Sequence, residues 1–281
     1  MTTTTSTYLS ITQNLARYQA TTAADPSVKT ASAYYAANIG KVASIADFVG
    51  NYRLLSYALE AHGLGDQINA TALVTKVLEG GVSSSASLAN TLSDPRWKAF
   101  AKAYDFVGKG AASIAASDAV TTTTGDYVES QLEANQGASD VGVQLALYFQ
   151  RVAPTITSTY GLLGDSNLLQ VVQTIFSLPP ETGSSNVDNE ASAIGKLVPL
   201  ADLQDPDKLR MLTERFTAMY DLTYGPSSGS SSSLNVASNG ASPIESAAST
   251  ILGGIVSSNG ASLASSQSGG TTSFNFQLLA K

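Results

Sequence analysis

The chain contains no cysteine and only one histidine, His62, among its 281 residues. The absence of cysteine excludes disulfides, thiolate nucleophiles and Cys-based metal sites together. Charged residues make up only 13% of the chain, and acidic residues outnumber basic ones by 22 to 15, which gives a formal net charge of −7. Because an acidic surface repels phosphate groups, we expect neither nucleic acid nor an anionic membrane as a partner.

Long apolar runs are also missing. No stretch approaches the roughly 18 apolar residues that a membrane-spanning helix needs, so we expect no membrane insertion. The first seven residues are mostly threonine and carry neither the basic nor the apolar region of a Sec-type signal peptide. The composition suits a cytoplasmic protein and an exported protein without disulfides equally well, so localisation stays open.

What the chain does contain is a helical unit that occurs twice. In the first copy the aromatic pair Tyr34-Tyr35 precedes Leu54-Leu55 by 20 positions. In the second copy Tyr148-Phe149 precedes Leu168-Leu169 by the same 20 positions. Each copy then reaches an Asp-Pro dipeptide and closes on a Tyr-Asp pair. We interpret this pattern as a diverged duplication.

Capping residues mark the helix starts. An Asp-Pro pair supplies a carboxylate that accepts from free backbone N–H groups, followed by a proline that gives up no needed donor. Ser44 begins a stretch that resembles a capping box, with Asp47 in the usual place of Glu or Gln. Helix caps are therefore predicted at Asp25, Ser44, Asp94, Asp205 and Ser242.

Apolar residues recur every three to four positions through most of the chain, which predicts an all-α protein built from two diverged repeats of a helical bundle. Gly63 is predicted to end a helix in the left-handed conformation, with Leu64 folding back as the apolar contact. The predicted organisation is a flexible or helical leader in 1–24, repeat 1 in 25–106, a connection in 107–126, repeat 2 in 127–224 and a low-complexity tail in 225–281.

The Ser/Gly-rich tail has two segments with regular patterns. A helix is predicted near 243–256 with an apolar stripe, and a short strand near 273–279, where phenylalanines alternate with polar residues. The stripe either folds back onto its own bundle or lies in a partner's groove, and the strand could extend a partner's sheet. The candidate partner-binding residues are Ile244, Ala248, Ile251, Ile255, Phe274 and Phe276.

Residues that could carry out catalysis are few. His62 could act as a general base near neutral pH, or could be a helix C-terminal residue that interacts with the helix dipole. Acid pairs such as Asp47 with Glu60, or Asp188 with Glu190, could in principle hydrolyse glycosides, although every chain contains such pairs. The acids are dispersed and the glycines match no nucleotide-binding motif. We therefore predict no catalytic, cofactor-binding or metal-binding residue, and a protein that is not an enzyme.

Several runs of the first repeat occur in the same order and at similar spacing in a known bacterial family. They are Ala23–Val28, Asn38–Val42, Tyr57–Leu59, Lys76–Val82 and Leu88–Phe100. In these runs the chain resembles DUF1217, a family of unknown function, over about residues 20–106. The second repeat departs widely from the family pattern and keeps mainly the Asp205-Pro206 start and the apolar spacing.

The resemblance implies a cellular context for the protein and does not point to a particular reaction. Members of the family occur in alphaproteobacteria, often beside flagellar genes, and some are labelled as flagellar basal-body rod proteins. We therefore expect a non-enzymatic structural or accessory protein of the flagellum, with flagellar components as protein partners and self-association as a further option. Two alternatives stay open, a cytoplasmic chaperone or regulator of flagellar assembly and a carbohydrate-active enzyme that uses a carboxylate pair.

Overall fold

The computed structural model describes residues 3–179 and 186–225. Throughout these two ranges every regular element is a helix, which confirms the all-α prediction. The cap predicted at Ser242, the tail helix, the tail strand and the six candidate partner-binding residues lie outside the described residues.

Nine α-helices precede the midpoint of the described chain, several of them short. They are α1 (Thr4–Gln13), α2 (Leu15–Ala24), α3 (Pro26–Asn38), α4 (Ile45–Gly50), α5 (Tyr52–Ala61), α6 (Thr71–Gly80), α7 (Leu88–Thr91), α8 (Pro95–Ala103) and α9 (Ala111–Ile114). Short 3-10 turns occupy Ile39–Lys41 and Gly65–Gln67.

The remaining α-helices of the described part include its two longest. They are α10 (Ser117–Gly137), α11 (Val141–Val152), α12 (Thr159–Leu163), α13 (Ser166–Phe176), α14 (Val187–Leu197), α15 (Leu200–Gln204) and α16 (Pro206–Tyr224). A 3-10 turn at Ala153–Thr155 follows α11, because Pro154 cannot donate the next helical hydrogen bond.

The first of two hydrophobic cores is rich in tyrosine and draws its residues from Val28 to Tyr127. Tyr57 stacks on Tyr35 at 4.5 Å between ring centroids and on Tyr127 at 3.9 Å. The hydroxyls of Tyr35 and Tyr104 hydrogen-bond to each other at 2.9 Å. This pairing satisfies two polar groups that have no access to water, so the rings can be fully buried.

The second core lies between α11, α13 and α16 and is more aliphatic. Phe149, Leu168 and Phe216 are completely buried there. Helix α1 also belongs to this core, since Tyr8 and Ile11 are buried against it. The stretch predicted as a leader is thus helical, and its first helix packs against the distant second half of the chain.

Helix α10 connects the two cores. Tyr127 belongs to the first core and Leu132, little more than one turn later, belongs to the second. Most of the predicted connection in 107–126 is also helical, because α10 already begins at Ser117. Threonine hydroxyls in its first turns bond to carbonyls four residues earlier, as Thr121 does to Ser117. The stretch is held against the first core by Tyr127, which is buried in it, and by Val120, which packs against it.

Helix α5 ends as the sequence predicts. Gly63 has a φ of 71°, in the left-handed region. The Leu64 N–H donates to the Leu59 carbonyl at 2.7 Å and the Gly63 N–H donates to the Glu60 carbonyl at 3.0 Å. This is the Schellman arrangement, and Leu64 is completely buried beside it.

Two glycine-to-alanine substitutions test the assigned backbone conformations. Their expected effects on stability have opposite signs. Gly63→Ala should destabilise the fold by about 1 kcal/mol, because alanine is strained at positive φ. Gly125→Ala should stabilise it by about 0.5–1 kcal/mol, because Gly125 lies exposed within α10 with nothing within 4 Å of an added Cβ. Urea unfolding measures both, and a stabilising Gly63→Ala would contradict the assigned helix end.

Candidate functional site

The most elaborate polar arrangement lies where the two cores meet, and Arg96 is its central residue. Asp94 caps α8 by accepting from the Arg96 backbone N–H at 2.9 Å. The Arg96 guanidinium folds back on the same carboxylate, with Nε at 3.0 Å and Nη2 at 2.8 Å. Its Nη1 donates to the Gly63 carbonyl at 2.6 Å. The start of α8 is thereby tied to the end of α5.

Asp165 provides the other half of this arrangement. Its side chain is 1% exposed, and Oδ1 caps α13 by accepting from the N–H groups of Asn167 at 2.9 Å and Leu168 at 3.1 Å. Oδ2 accepts the Tyr148 hydroxyl at 2.5 Å and lies 3.5 Å from Arg96 Nε. We call Asp94, Arg96, Tyr148 and Asp165 the junction cluster, because it joins helices of both cores.

The electrostatics of the junction cluster favour the ionic form of Arg96. Burial lowers the pKa of Arg96, but the hydrogen bond to Asp94 and the neighbouring Asp165 charge outweigh this and raise it above its usual value. Burial raises the pKa of Tyr148, and the Asp165 charge raises it further. Tyr148 therefore stays protonated and serves as a hydrogen-bond donor to Asp165.

A second buried ion pair lies next to the junction cluster. Arg151 donates to Glu133 through Nε at 2.6 Å and Nη2 at 2.8 Å, in a two-point contact between α11 and α10. The Arg151 guanidinium is 5.5 Å from the centroid of the Tyr148 ring. Burial raises the pKa of Glu133, and the Arg151 guanidinium opposes part of that shift. The two-point geometry fixes the relative positions of the two helices.

The Arg151–Glu133 pair forms one wall of a surface groove of about 210 Å³ between α2, α10 and α11, which we call the α10 groove. Its lining residues are Leu15, Glu129, Leu132, Glu133, Leu147, Gln150 and Arg151. Leu15 remains 38% exposed, and Gln19 donates to Glu129 at 2.9 Å across one edge. Because Arg151 already pairs with Glu133, Glu129 is the acidic group that lies beside the apolar side chains of the groove.

His62 is part of the first core and not of the α10 groove. Its ring meets Phe100 and Tyr104 edge-on, with centroids 5.6 and 5.9 Å apart. Its Nε2 atom is buried without a hydrogen-bond partner. Burial lowers the pKa of His62 to about 4, with a smaller contribution from the Arg151 charge. The ring is therefore neutral at pH 7, so it does not act as a cation at the end of the helix.

The predicted caps within the described residues all accept backbone hydrogen bonds. Asp25 accepts from Ser27 at 2.8 Å, and Asp205 accepts from Asp207 at 3.0 Å. Ser44 accepts from Asp47 at 3.1 Å, as Asp94 does from Arg96.

Three of the four acids considered as catalytic pairs have separate structural contacts. Asp47 accepts from the backbone N–H of Ala43. Glu60 accepts from Ser56 and Gln131, and Asp188 accepts from the Tyr160 hydroxyl. Glu190 is 5% exposed, and burial raises its pKa.

The sequence analysis did not identify Asp165, the buried carboxylate of the junction cluster. A local signal exists, since an aspartate directly precedes the apolar run of α13, as an N-cap would. Its pairing with Arg96 has no local signal, because the two residues belong to different cores. Asp221 was also missed as a functional group, although it accepts from the backbone N–H groups of Thr4 and Thr5.

Two further properties hold for the described part of the chain. Within residues 3–179 and 186–225, no three or more acids or histidines lie close enough together to bind one metal ion. None of the helices in these ranges combines the length and the apolar character needed to cross a bilayer.

The fold and the junction cluster define an all-α protein whose two helical cores are joined by buried ion pairs. The model of DUF1217, described as a protein of unknown function, matches residues 61–209, which is more than half of the chain. The chain belongs to this family. The match extends through α13 into the first turn of α16, well beyond the first repeat that carried the resemblance.

A solved structure supports the same relationship. The crystal structure of a protein from Agrobacterium tumefaciens is similar, with a TM-score of 0.72 and 41% sequence identity, over 78% of this chain and 93% of that one. No curated protein matches the chain.

Removing the central cation tests the junction cluster. Arg96→Met keeps the apolar stem but leaves the buried Asp165 without its counter-charge, so stability should fall by about 3 kcal/mol. As the matched control, Arg210→Met removes an exposed ion pair with Asp207 and should cost no more than about 0.5 kcal/mol. Urea unfolding measures both, and equal losses would contradict a structural role for the junction.

The buried histidine predicts a pH dependence. The pKa of His62 is about 4 in the folded protein and about 6.5 in the unfolded chain, so between these values only the unfolded chain binds the proton. Stability is therefore complete above about pH 6.5 and falls as the pH drops towards 4, by up to roughly 3 kcal/mol.

His62→Leu removes this pH-dependent contribution to stability. The variant should therefore lose less stability between pH 7 and 4.5 than the unchanged protein. Burial raises the pKa values of Asp126, Glu133 and Glu190, which acts in the opposite direction in both proteins. Urea unfolding at several pH values gives the difference. Parallel pH profiles would show that His62 does not titrate as a buried group.

Proposed function

We propose that this protein is a non-enzymatic structural or accessory component of the bacterial flagellum that acts through protein–protein contacts. The flagellar context rests on the resemblance of the first repeat to DUF1217 members found beside flagellar genes. The mode of action rests on how the chain uses its reactive side chains and on what it exposes.

The observation that carries the proposal is that the two buried arginines, Arg96 and Arg151, are held by carboxylates and a carbonyl of the same chain. Arg96 binds Asp94, the Gly63 carbonyl and Asp165, and Arg151 binds Glu133 at two points. Charged groups held in this way fix the relative positions of helices. Their hydrogen bonds go to other groups of the protein and not to a substrate. This use of charge is typical of a protein whose task is to present a rigid surface.

The described surface also carries large apolar side chains. Leu15, Tyr52, Val107, Met211 and Leu222 are between 38% and 71% exposed. Met211 and Leu222 lie three helical turns apart on α16 and therefore share one face. Exposed apolar side chains are the usual anchors of protein interfaces.

Of these surfaces, the α10 groove is the one with defined chemistry. Glu129 and the apolar floor would receive a basic residue next to an apolar one from a flagellar partner. This preference gives the proposal a location that can be changed without altering the core.

The carbohydrate-active alternative finds less support. Glycosidases place two carboxyl groups on opposite sides of the scissile bond. Glu129 and Glu133 lie one turn apart on the same helix, and Glu133 is held by Arg151. Both acids therefore stand on one wall of the α10 groove.

Gene deletion and fractionation test the flagellar assignment. A deletion strain should swim poorly or carry fewer filaments, and the tagged protein should appear outside the cytosol only when flagellar export works. Retention in the cytosol with a motility defect would favour the alternative of a chaperone or regulator of flagellar assembly. Unchanged motility and flagellation in the deletion strain would contradict a flagellar role.

A pair of charge reversals tests the α10 groove. Glu129→Lys should impair swimming at least severalfold, because it repels a basic partner group, whereas Glu79→Lys makes the same charge change at an exposed position elsewhere. Circular dichroism and thermal melting check that both variants fold. If folded Glu129→Lys restores full swimming to the deletion strain, the groove is not the contact surface.

A further inference from the structure

The N-terminal helices α1 and α2 are separated by a single residue. Asn14 has φ −126° and ψ 28°, and it serves both as the last cap of α1 and as the residue before α2. Residues 4–24 contain neither proline nor glycine, and the side chain of Asn14 makes no capping bond to α2. Local sequence therefore does not impose the break, and one continuous helix is compatible with the same residues.

Helix α1 makes its specific contacts with the second half of the chain. The N–H groups of Thr4 and Thr5 donate to the Asp221 carboxylate at 2.7 and 3.0 Å, and the Thr4 hydroxyl donates to Asp140 at 2.9 Å. Tyr8 is 1% exposed and its hydroxyl donates to Gln150 at 3.1 Å. These contacts bind α1 as a docked helix in the groove between α11 and α16.

That groove is closely fitted to its occupant. A Cβ atom on Gly142 of α11 would lie 2.5 Å from the ring of Tyr220 and 2.7 Å from the Thr4 side chain. The three helices meet where only a glycine leaves room. The groove thus recognises the shape of α1 as well as its first-turn N–H groups.

The bend at Asn14 leaves surface unfilled. Helix α2 packs on α3 and α10, and its Tyr18 also packs against the second core, to which α1 belongs. Ser10, Asn14, Arg17, Tyr18 and Thr21 line a cavity of about 290 Å³ at the bend. Leu15, the first residue of α2, is 38% exposed. The bent form therefore keeps an apolar side chain in contact with water.

We propose that α1 exchanges between two copies of this chain. Asn14 adopts helical geometry, residues 4–24 form one helix about 31 Å long, and α1 occupies the α11–α16 groove of the second copy, which reciprocates. Every contact of α1 is retained, since the second copy offers the same Asp221, Asp140 and Gly142. The straightened helix gains backbone hydrogen bonds at the former break.

Cross-linking between single-cysteine variants tests the exchange, since the chain has no cysteine of its own. Full-length Thr4→Cys and Asp140→Cys proteins are mixed, incubated and oxidised, because their side chains touch in the docked state. Mixed disulfide dimers form in excess of random collision only when α1 of one copy lies on the other. Thr4→Cys mixed with Asp66→Cys, at an exposed and unrelated position, measures random collision.

Asn14 is the hinge of the proposed exchange, so changes there should alter the association constant of the two copies. Asn14→Ala in both partners should raise the association constant about tenfold, since alanine favours a helix interior over asparagine in each of two chains. Two glycines inserted after Asn14 should lower it. Size-exclusion chromatography with light scattering follows the unmodified protein and both hinge variants.

The exchange predicts mixed disulfides above the Asp66 control and an increase with Asn14→Ala. Mixed disulfides at the control level in the unmodified and Asn14→Ala backgrounds would overturn it. The double variant Thr4→Cys/Asp140→Cys, oxidised at high dilution, must form its internal disulfide, which shows that the docked geometry permits the bond.

Discussion

The buried carboxylate of Asp165 is the constraint on which the rest of the structure depends. A charge with 1% exposure is unfavourable unless hydrogen bonds and an opposite charge surround it. Two N–H groups of α13, the Tyr148 hydroxyl and Arg96 meet this requirement together. Arg96 is in turn held by Asp94 and by the Gly63 carbonyl, so helices α5, α8, α11 and α13 must be in place at once. One buried charge thereby makes two hydrophobic cores depend on each other.

The family match and the junction coincide in the chain. Gly63, Arg96, Tyr148 and Asp165 all fall within residues 61–209, so the region that defines family membership contains the complete junction. Helices α1 to α4, all of α5 except Ala61, and most of α16 lie outside the matched region. Helices α3 and α5 supply residues of the first core, and α16 supplies residues of the second. The matched region therefore contains the junction but only part of each core.

Local signals were sufficient for much of the fold. Asp-Pro pairs located the starts of three helices, and Gly63 located the end of α5, because each depends on backbone groups within a few residues. The extent of α10 was missed, since its early turns consist mostly of threonine and small residues that carry no apolar period. The placement of α1 and the pairing of Arg96 with Asp165 could not be predicted, because both depend on which surfaces of two separate cores meet. The composition correctly pointed away from cysteine chemistry, but it contained no information about the junction.

Calorimetry of the full-length protein tests most directly whether the junction makes the two cores one cooperative unit. If it does, the chain unfolds in a single transition with equal calorimetric and van't Hoff enthalpies, and Arg96→Met lowers the midpoint and separates the transition into two. Two resolved transitions in the unmodified protein would contradict this coupling, as would an Arg96→Met transition identical in midpoint and shape to that of the unmodified chain.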